Sequence, residues 1–232
     1  MHLKIDNVKM EHGKFSLKDI NIDLTAGDTV AICGKIGSGK TSLLRVLGLL
    51  DRPKMGHIYI DSTVNCTSLP QAEIDLLISR YFAYVFQEFD LMETWTAIEN
   101  IALPLMVKGY SKEHREKQAK YYCEQLGIAK YATQQVSTLS GGTRKLVTVG
   151  RALAKKPKIL IADEPIASLD PNFRKRVVRF LSRIAEEENM IIIAAAHLDE
   201  IKSNFKKQYN IEDDTLKLVR NKRNIRKRRG KI

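Results

Sequence analysis

The sequence lacks what a membrane-spanning or disulfide-built protein needs. Only three cysteines occur, Cys33, Cys66 and Cys123, and no two share a CxxC spacing. Neither a disulfide framework nor a zinc site is indicated, and reduced, buried thiols are expected. Long apolar runs are missing too. "IALPLMV" and "MIIIAAA" fall far short of the roughly 20 residues that span a bilayer. The opening "MHLKIDNVKM" alternates polar and apolar as a strand does, with none of the features of a signal peptide. A cytosolic protein is expected. Acid is absent from Lys217 onward, where nine Lys and Arg accumulate. Taking those nine from the net charge of +12 leaves the rest of the chain at +3. The basic character therefore belongs to a tail and not to a face of the fold. Such a tail is either merely solvated or suited to anionic lipid or RNA.

What is present suffices for a large core: 232 residues, 44% of them apolar. Segments near 2–9 and 15–24 read as alternating strands, and "AGD" turns into a third, "TVAIC". "KTSLLRVLGLL" has the apolar spacing of a helix packed on a sheet. Short strands are expected near 57–60 and 81–87, with a helix around 71–80 between them. From about 94 to 155 only helical patterns occur, as in an inserted lobe. "KILIA" and "MIIIAAA" read as buried parallel strands separated by a helix, and "QYNIEDDTLKLVR" as a hairpin. The sum is an α/β fold: a P-loop core with an antiparallel β subdomain and an inserted α-helical subdomain.

Gly34-Lys35-Ile36-Gly37-Ser38-Gly39-Lys40-Thr41 matches GxxxxGK[ST] after a strand and at the opening of a helix. Glycines let backbone N–H groups close round phosphate oxygens, and the helix start adds positive potential. Lys40 can reach the β- and γ-phosphates, and the Thr41 hydroxyl can hold Mg²⁺. "ILIADEP" brings Asp163 and Glu164 to the C-terminal edge of a strand, where such folds bind ligands. Asp163 can join the Mg²⁺ shell and Glu164 can polarise a water, although an acidic pair can also cap a following helix. Gln87 is either a metal or water contact or a polar strand end, and His197 either faces the nucleotide or is structural. Asp170 is a good N-cap before Pro171. Ser140-Gly141-Gly142, opening another amphipathic helix, makes a second anion site.

With this loop, "VFQ", "LSGGT", "ILIADEP", "ASLD" and a late histidine in order, nearly the whole chain resembles an ATP-binding cassette (ABC) ATPase. The resemblance explains the second anion site. In that family two cassettes pack head to tail, and the Ser-Gly-Gly helix of each closes on ATP held by the other. It implies that Gly34, Gly37, Ser38, Gly39, Lys40, Thr41 and Ser42 cradle the phosphates. Asp163 supports the metal, Glu164 is the general base and His197 contacts the γ-phosphate. Gln87 senses Mg²⁺ and a transmembrane partner. Ser140, Gly141 and Gly142 act in trans, and Asp170 lies at the dimer seam. His12 stands where a base-stacking tyrosine is usual, with Phe15 as a possible substitute. Thr143, Leu146 and Ala196 also depart from the usual residues.

"FQEFDLMETWTAIENIALPLMVKGYS" looks like the subgroup of macrolide-export, lipoprotein-extracting, bacteriocin-export and cell-division ATPases. The implied protein binds ATP and Mg²⁺ as a homodimer on a separate transmembrane permease, cytoplasmic and peripheral on the inner face of the membrane. Its domain is 1–216, followed by the basic tail 217–232. A soluble ABC ATPase anchored to RNA or ribosomes by that tail is the alternative. Neither a second cassette nor a long coiled-coil insertion, usual among nucleic-acid-acting members, is visible.

Overall fold

The computed structural model describes residues 1–12, 15–86, 88, 90–167, 169–196 and 205–221. Its strands are of two kinds, and burial separates them. β1 (His2–His12) and β2 (Phe15–Thr25) pair antiparallel, and Leu17, Ile20, Ile22 and Leu24 of β2 are buried between exposed neighbours. Every residue of β3 (Thr29–Cys33) is buried, as is every residue of two later strands, Ile159–Asp163 and Ile191–Ala195. Such runs belong to parallel strands covered on both faces. The sequence distinguishes the kinds in the same way.

After β3 comes α1 (Lys40–Leu47), then β4 (Met55–Ile60), β5 (Val64–Asn65) and α2 (Gln71–Tyr81). α1 stops short of the expected Leu50, because Gly48 caps it and Leu49 turns to φ 61. β6 (Phe82–Val85) is shorter than the expected 81–87. The helical lobe holds α3 (Ala97–Val107), α4 (Lys112–Gln125) and α5 (Gly141–Ala154). β7 (Ile159–Asp163), α6 (Pro171–Glu187) and β8 (Ile191–Ala195) return the chain to the core. β9 (Lys207–Glu212) and β10 (Thr215–Asn221) form the final hairpin. β10 thus takes in the first residues of the expected tail, while residues 222–232 lie outside the described residues.

The strands form one ten-stranded sheet in the order β5-β4-β1-β2-β10-β9-β3-β8-β7-β6. β10 joins its halves, antiparallel to β9 and parallel to β2 through the pair Thr215↔Lys18. Successive residues of the parallel strands feed two cores. Val30, Ile32, Ile161 and Ile193 pack with α1 and the β1–β2 hairpin; Ala31, Cys33, Ala162 and Ala194 face α5 and α6. Both the β3–α1 loop and the end of β7 fall at the C-terminal edge of the parallel strands, as α/β ligand sites do.

Candidate functional site

The loop from Gly34 to Gly39 needs its glycines for distinct reasons. Gly37 and Gly39 have φ of 78° and 83°, the left-handed region that costs other residues most. A Cβ at Gly34 would come within 2.4 Å of the Ser38 hydroxyl oxygen. That hydroxyl is buried and has no hydrogen-bond partner among the described residues. An anion's oxygen would satisfy it. At the N-terminus of α1, Gly39 supplies no side-chain cap and the first turn has no acid. Its N–H groups and positive end therefore remain available to an anion.

Lys40 begins that helix and is only 7% exposed. Its ammonium donates to the carbonyls of Gly34 (3.1 Å) and Lys35 (3.2 Å), so the cation lies folded across the loop. Next to it, the Thr41 hydroxyl donates to the Asp163 carboxylate at 2.6 Å. The two lie 122 residues apart in sequence and meet because β3 and β7 both pair with β8. Glu164, one residue past the strand, adopts φ 47° and donates its N–H to the Ala195 carbonyl at 3.2 Å. A non-glycine residue there carries strain on the order of 1–3 kcal/mol, and such strain clusters at functional sites.

Phe15, Ile36, Gly37, Gly39, Lys40, Thr41, Ser42 and Glu164 line a cavity of about 380 Å³, a size suited to a small ligand. Phe15 packs against the loop: a Cβ at Gly39 would stand 2.0 Å from its ring. His12 pairs with Phe15 across the β1–β2 turn, and its side chain lies outside the described residues. Gln87 and His197 lie outside them as well.

The serine-glycine segment is elsewhere. Ser140, Gly141 and Gly142 are not among the described residues that line the cavity. Ser140 N-caps α5, accepting from the Thr143 N–H at 3.3 Å, and its hydroxyl also bonds the Thr143 hydroxyl at 2.9 Å. Ser140 and Gly141 are exposed. Asp170 caps α6, accepting from Asn172 and Phe173 at 3.1 and 3.0 Å, as the Asp-Pro pair leads one to expect.

Sequence reasoning missed two residues that hold the surroundings of the site without lining its cavity. Lys145 donates to the Phe86 carbonyl at 2.6 Å. Burial pushes its ammonium below the usual lysine range, and the nearby Asp163 and Glu164 carboxylates pull the other way. Asn100 is fully buried and fastens the preceding loop to α3, accepting from the Met92 N–H and donating to the Met92 and Thr96 carbonyls. An asparagine inside an apolar helix is a visible signal of such a latch. Nothing comparable marks Lys145, which reads as a surface residue.

A glycine cradle on a helix start, a lysine across it, and a hydroxyl–carboxylate pair linking that helix to β7 define a P-loop nucleotide hydrolase. Comparison with known proteins narrows the class. The ABC transporter family matches residues 17–167. The chain is 32% identical over 202 residues to the lipoprotein-releasing system ATP-binding protein LolD of Rickettsia bellii, covering 87% of this chain and 89% of that one. It is 33% identical over 187 residues to the ABC transporter ATP-binding protein MJ0796 of Methanocaldococcus jannaschii, covering 79% of each. The solved dimeric, post-hydrolysis structure of MJ0796 bound to ADP and Pi matches with a TM-score of 0.81 at 29% identity, covering 94% of this chain and 99% of that one. The chain belongs to the ABC transporter family and is an ATP-binding and ATP-hydrolysing subunit of it. The lipoprotein-releasing relatives lie in the subgroup to which "ENIALPL" points.

Proposed function

We propose that the protein works as a head-to-tail homodimer that closes on two ATP molecules and drives a separate transmembrane permease, in lipoprotein extraction or export from a membrane. One observation carries the reading: the chain's own phosphate cavity is built without Ser140, while Ser140 caps an exposed helix end. A second copy turned round would bring that helix end to the γ-phosphate. The MJ0796 dimer and the lipoprotein-releasing relatives support the arrangement and the task.

In this reading Gly34, Gly37, Ser38, Gly39, Lys40, Thr41 and Ser42 hold the phosphates. Thr41 and Asp163 would hold Mg²⁺, and their hydroxyl and carboxylate oxygens suit it. Among the described residues no group of three or more His, Cys, Asp or Glu could bind a metal alone. That too suits Mg²⁺, which takes one or two protein groups beside phosphate oxygens. Bound there, it would neutralise charge on those oxygens. Glu164 takes the proton of the attacking water. Gln87 and His197 act on metal and γ-phosphate, and Asp170 lies at the seam. Among the described residues no helix is long and apolar enough to cross a membrane. A peripheral place on the cytoplasmic face, with the basic tail on anionic lipid, completes the proposal.

The test is the solution mass of Glu164→Gln with and without Mg-ATP, then with Ser140→Arg added. An ATP-dependent doubling that the arginine abolishes is expected. A monomer throughout, with ATP bound, would defeat the homodimer.

Phe15 is the base platform in this reading, in place of His12. Stacking beyond simple burial is worth ~1 kcal/mol. Phe15→Ala should therefore weaken ATP binding several-fold while Phe15→Trp preserves it, by calorimetric titration. Equal affinity in all three would return the role to His12.

A further inference from the structure

α5 carries its serine cap at one end, and four cations, three on the helix and one at its C-cap, reach β6 or the stretch between β6 and α3. Lys155 donates to the Phe82 carbonyl at 2.6 Å, Lys145 to Phe86 at 2.6 Å and Arg151 to Asp90 at 2.7 Å. Arg144 pairs with the Glu93 carboxylate. The four partners run from the first residue of β6, taken by Lys155, to Glu93 shortly before α3, taken by Arg144. Three of the four acceptors are backbone carbonyls, which need a cation of the right reach and no particular partner side chain.

Lys145 is the innermost of the four in one respect. It meets the last residues of the parallel sheet within the field of Asp163 and Glu164. Its neighbour Leu146 is 1% exposed and packs in the same core as Ala83 and Val85 of β6, so Lys145 adds a directed polar bond to an apolar contact at this turn of α5. Ser140 lies five residues before it, little more than one turn away. A shift of α5 at Lys145 is therefore felt at Ser140.

We propose that Lys145 is a positioning residue that sets α5, and with it Ser140, at a fixed place relative to the chain's own Asp163–Glu164 strand end. The position of the partner-facing helix end is thereby tied to the same edge that holds the nucleotide. This rests on the head-to-tail reading only for its consequence in dimerisation; the positioning itself belongs to a single chain.

Two measurements test it. Nitroxide labels at Thr138→Cys and Lys175→Cys, both exposed positions, report the setting of the α5 start against α6 in the monomer. Lys145→Met should broaden or shift the interlabel distance, and Lys145→Arg should restore it, with the melting temperature unchanged. An unchanged distance in Lys145→Met overturns the proposal, and so does a loss that Lys145→Arg fails to repair. In the Glu164→Gln background, Lys145→Met should then need at least tenfold more protein to form the Mg-ATP dimer, with monomer ATP affinity unaltered. Dimerisation at the parent's concentration would also overturn it. Should Glu164→Gln itself stay monomeric, the homodimer reading fails, while the label distances still decide the role of Lys145.

Discussion

Glu164→Gln is expected to lower ATP turnover by roughly 10²–10⁴-fold, the usual worth of a general base. The amide keeps the shape of the carboxylate and cannot take the proton of the attacking water. Glu164 lines the phosphate cavity from a strained backbone position one residue past β7. The neighbouring Asp163 is already engaged with Thr41 at 2.6 Å. The division of labour follows from those positions: one acid is committed to the hydroxyl and any metal, while the other faces the cavity. Single-turnover phosphate release should slow by that factor while ATP affinity stays within a few-fold. Parent-like hydrolysis would assign the base elsewhere.

Lys40→Ala is expected to remove ATP binding at ordinary concentrations. The ammonium bonds the carbonyls of Gly34 and Lys35. Alanine leaves those carbonyls facing the phosphates with no positive charge between them. Loss of a charged hydrogen bond costs about 1.5–3 kcal/mol, and the exposed repulsion adds to it. A total near 3 kcal/mol corresponds to roughly 100-fold in affinity. Lys40→Arg should not rescue, because a planar guanidinium cannot occupy a space shaped for a compact ammonium. Calorimetric titration decides; wild-type affinity in Lys40→Ala would mean that the loop amides alone hold the phosphates.

Both predictions begin from motifs that the sequence displays openly. The glycine loop is legible because its chemistry is local: strand, turn and helix follow within one short stretch. The buried runs of β3, β7 and β8 are legible because their apolar continuity reports cover on both faces. The Thr41–Asp163 contact is different. It depends on β8 lying between β3 and β7, an order that no local pattern encodes. Phe15 shows the same limit, since its closeness to Gly39 depends on how β2 packs against a loop that follows a different strand. Lys145 is harder still. A lysine is judged exposed by type, and its acceptor is a backbone carbonyl that any residue at position 86 would offer. The two-residue β5 has too little sequence to show a period.

The strand β10 has a mechanical meaning. It fastens the antiparallel half of the sheet to the parallel half, and on the β2 side its pairing reduces to Thr215 with Lys18 and the adjoining bond from the Lys18 N–H to the Asp214 carbonyl at 3.2 Å. Phe15 belongs to one half and Lys40 to the other. A nucleotide whose base rests on the first and whose phosphates sit in the second spans that narrow seam like a stitch. ADP keeps the base and two phosphates, so hydrolysis alone would leave the stitch in place. Release of the nucleotide would undo it and fresh ATP would sew it again, so the seam sets how freely the two halves flex between turnovers.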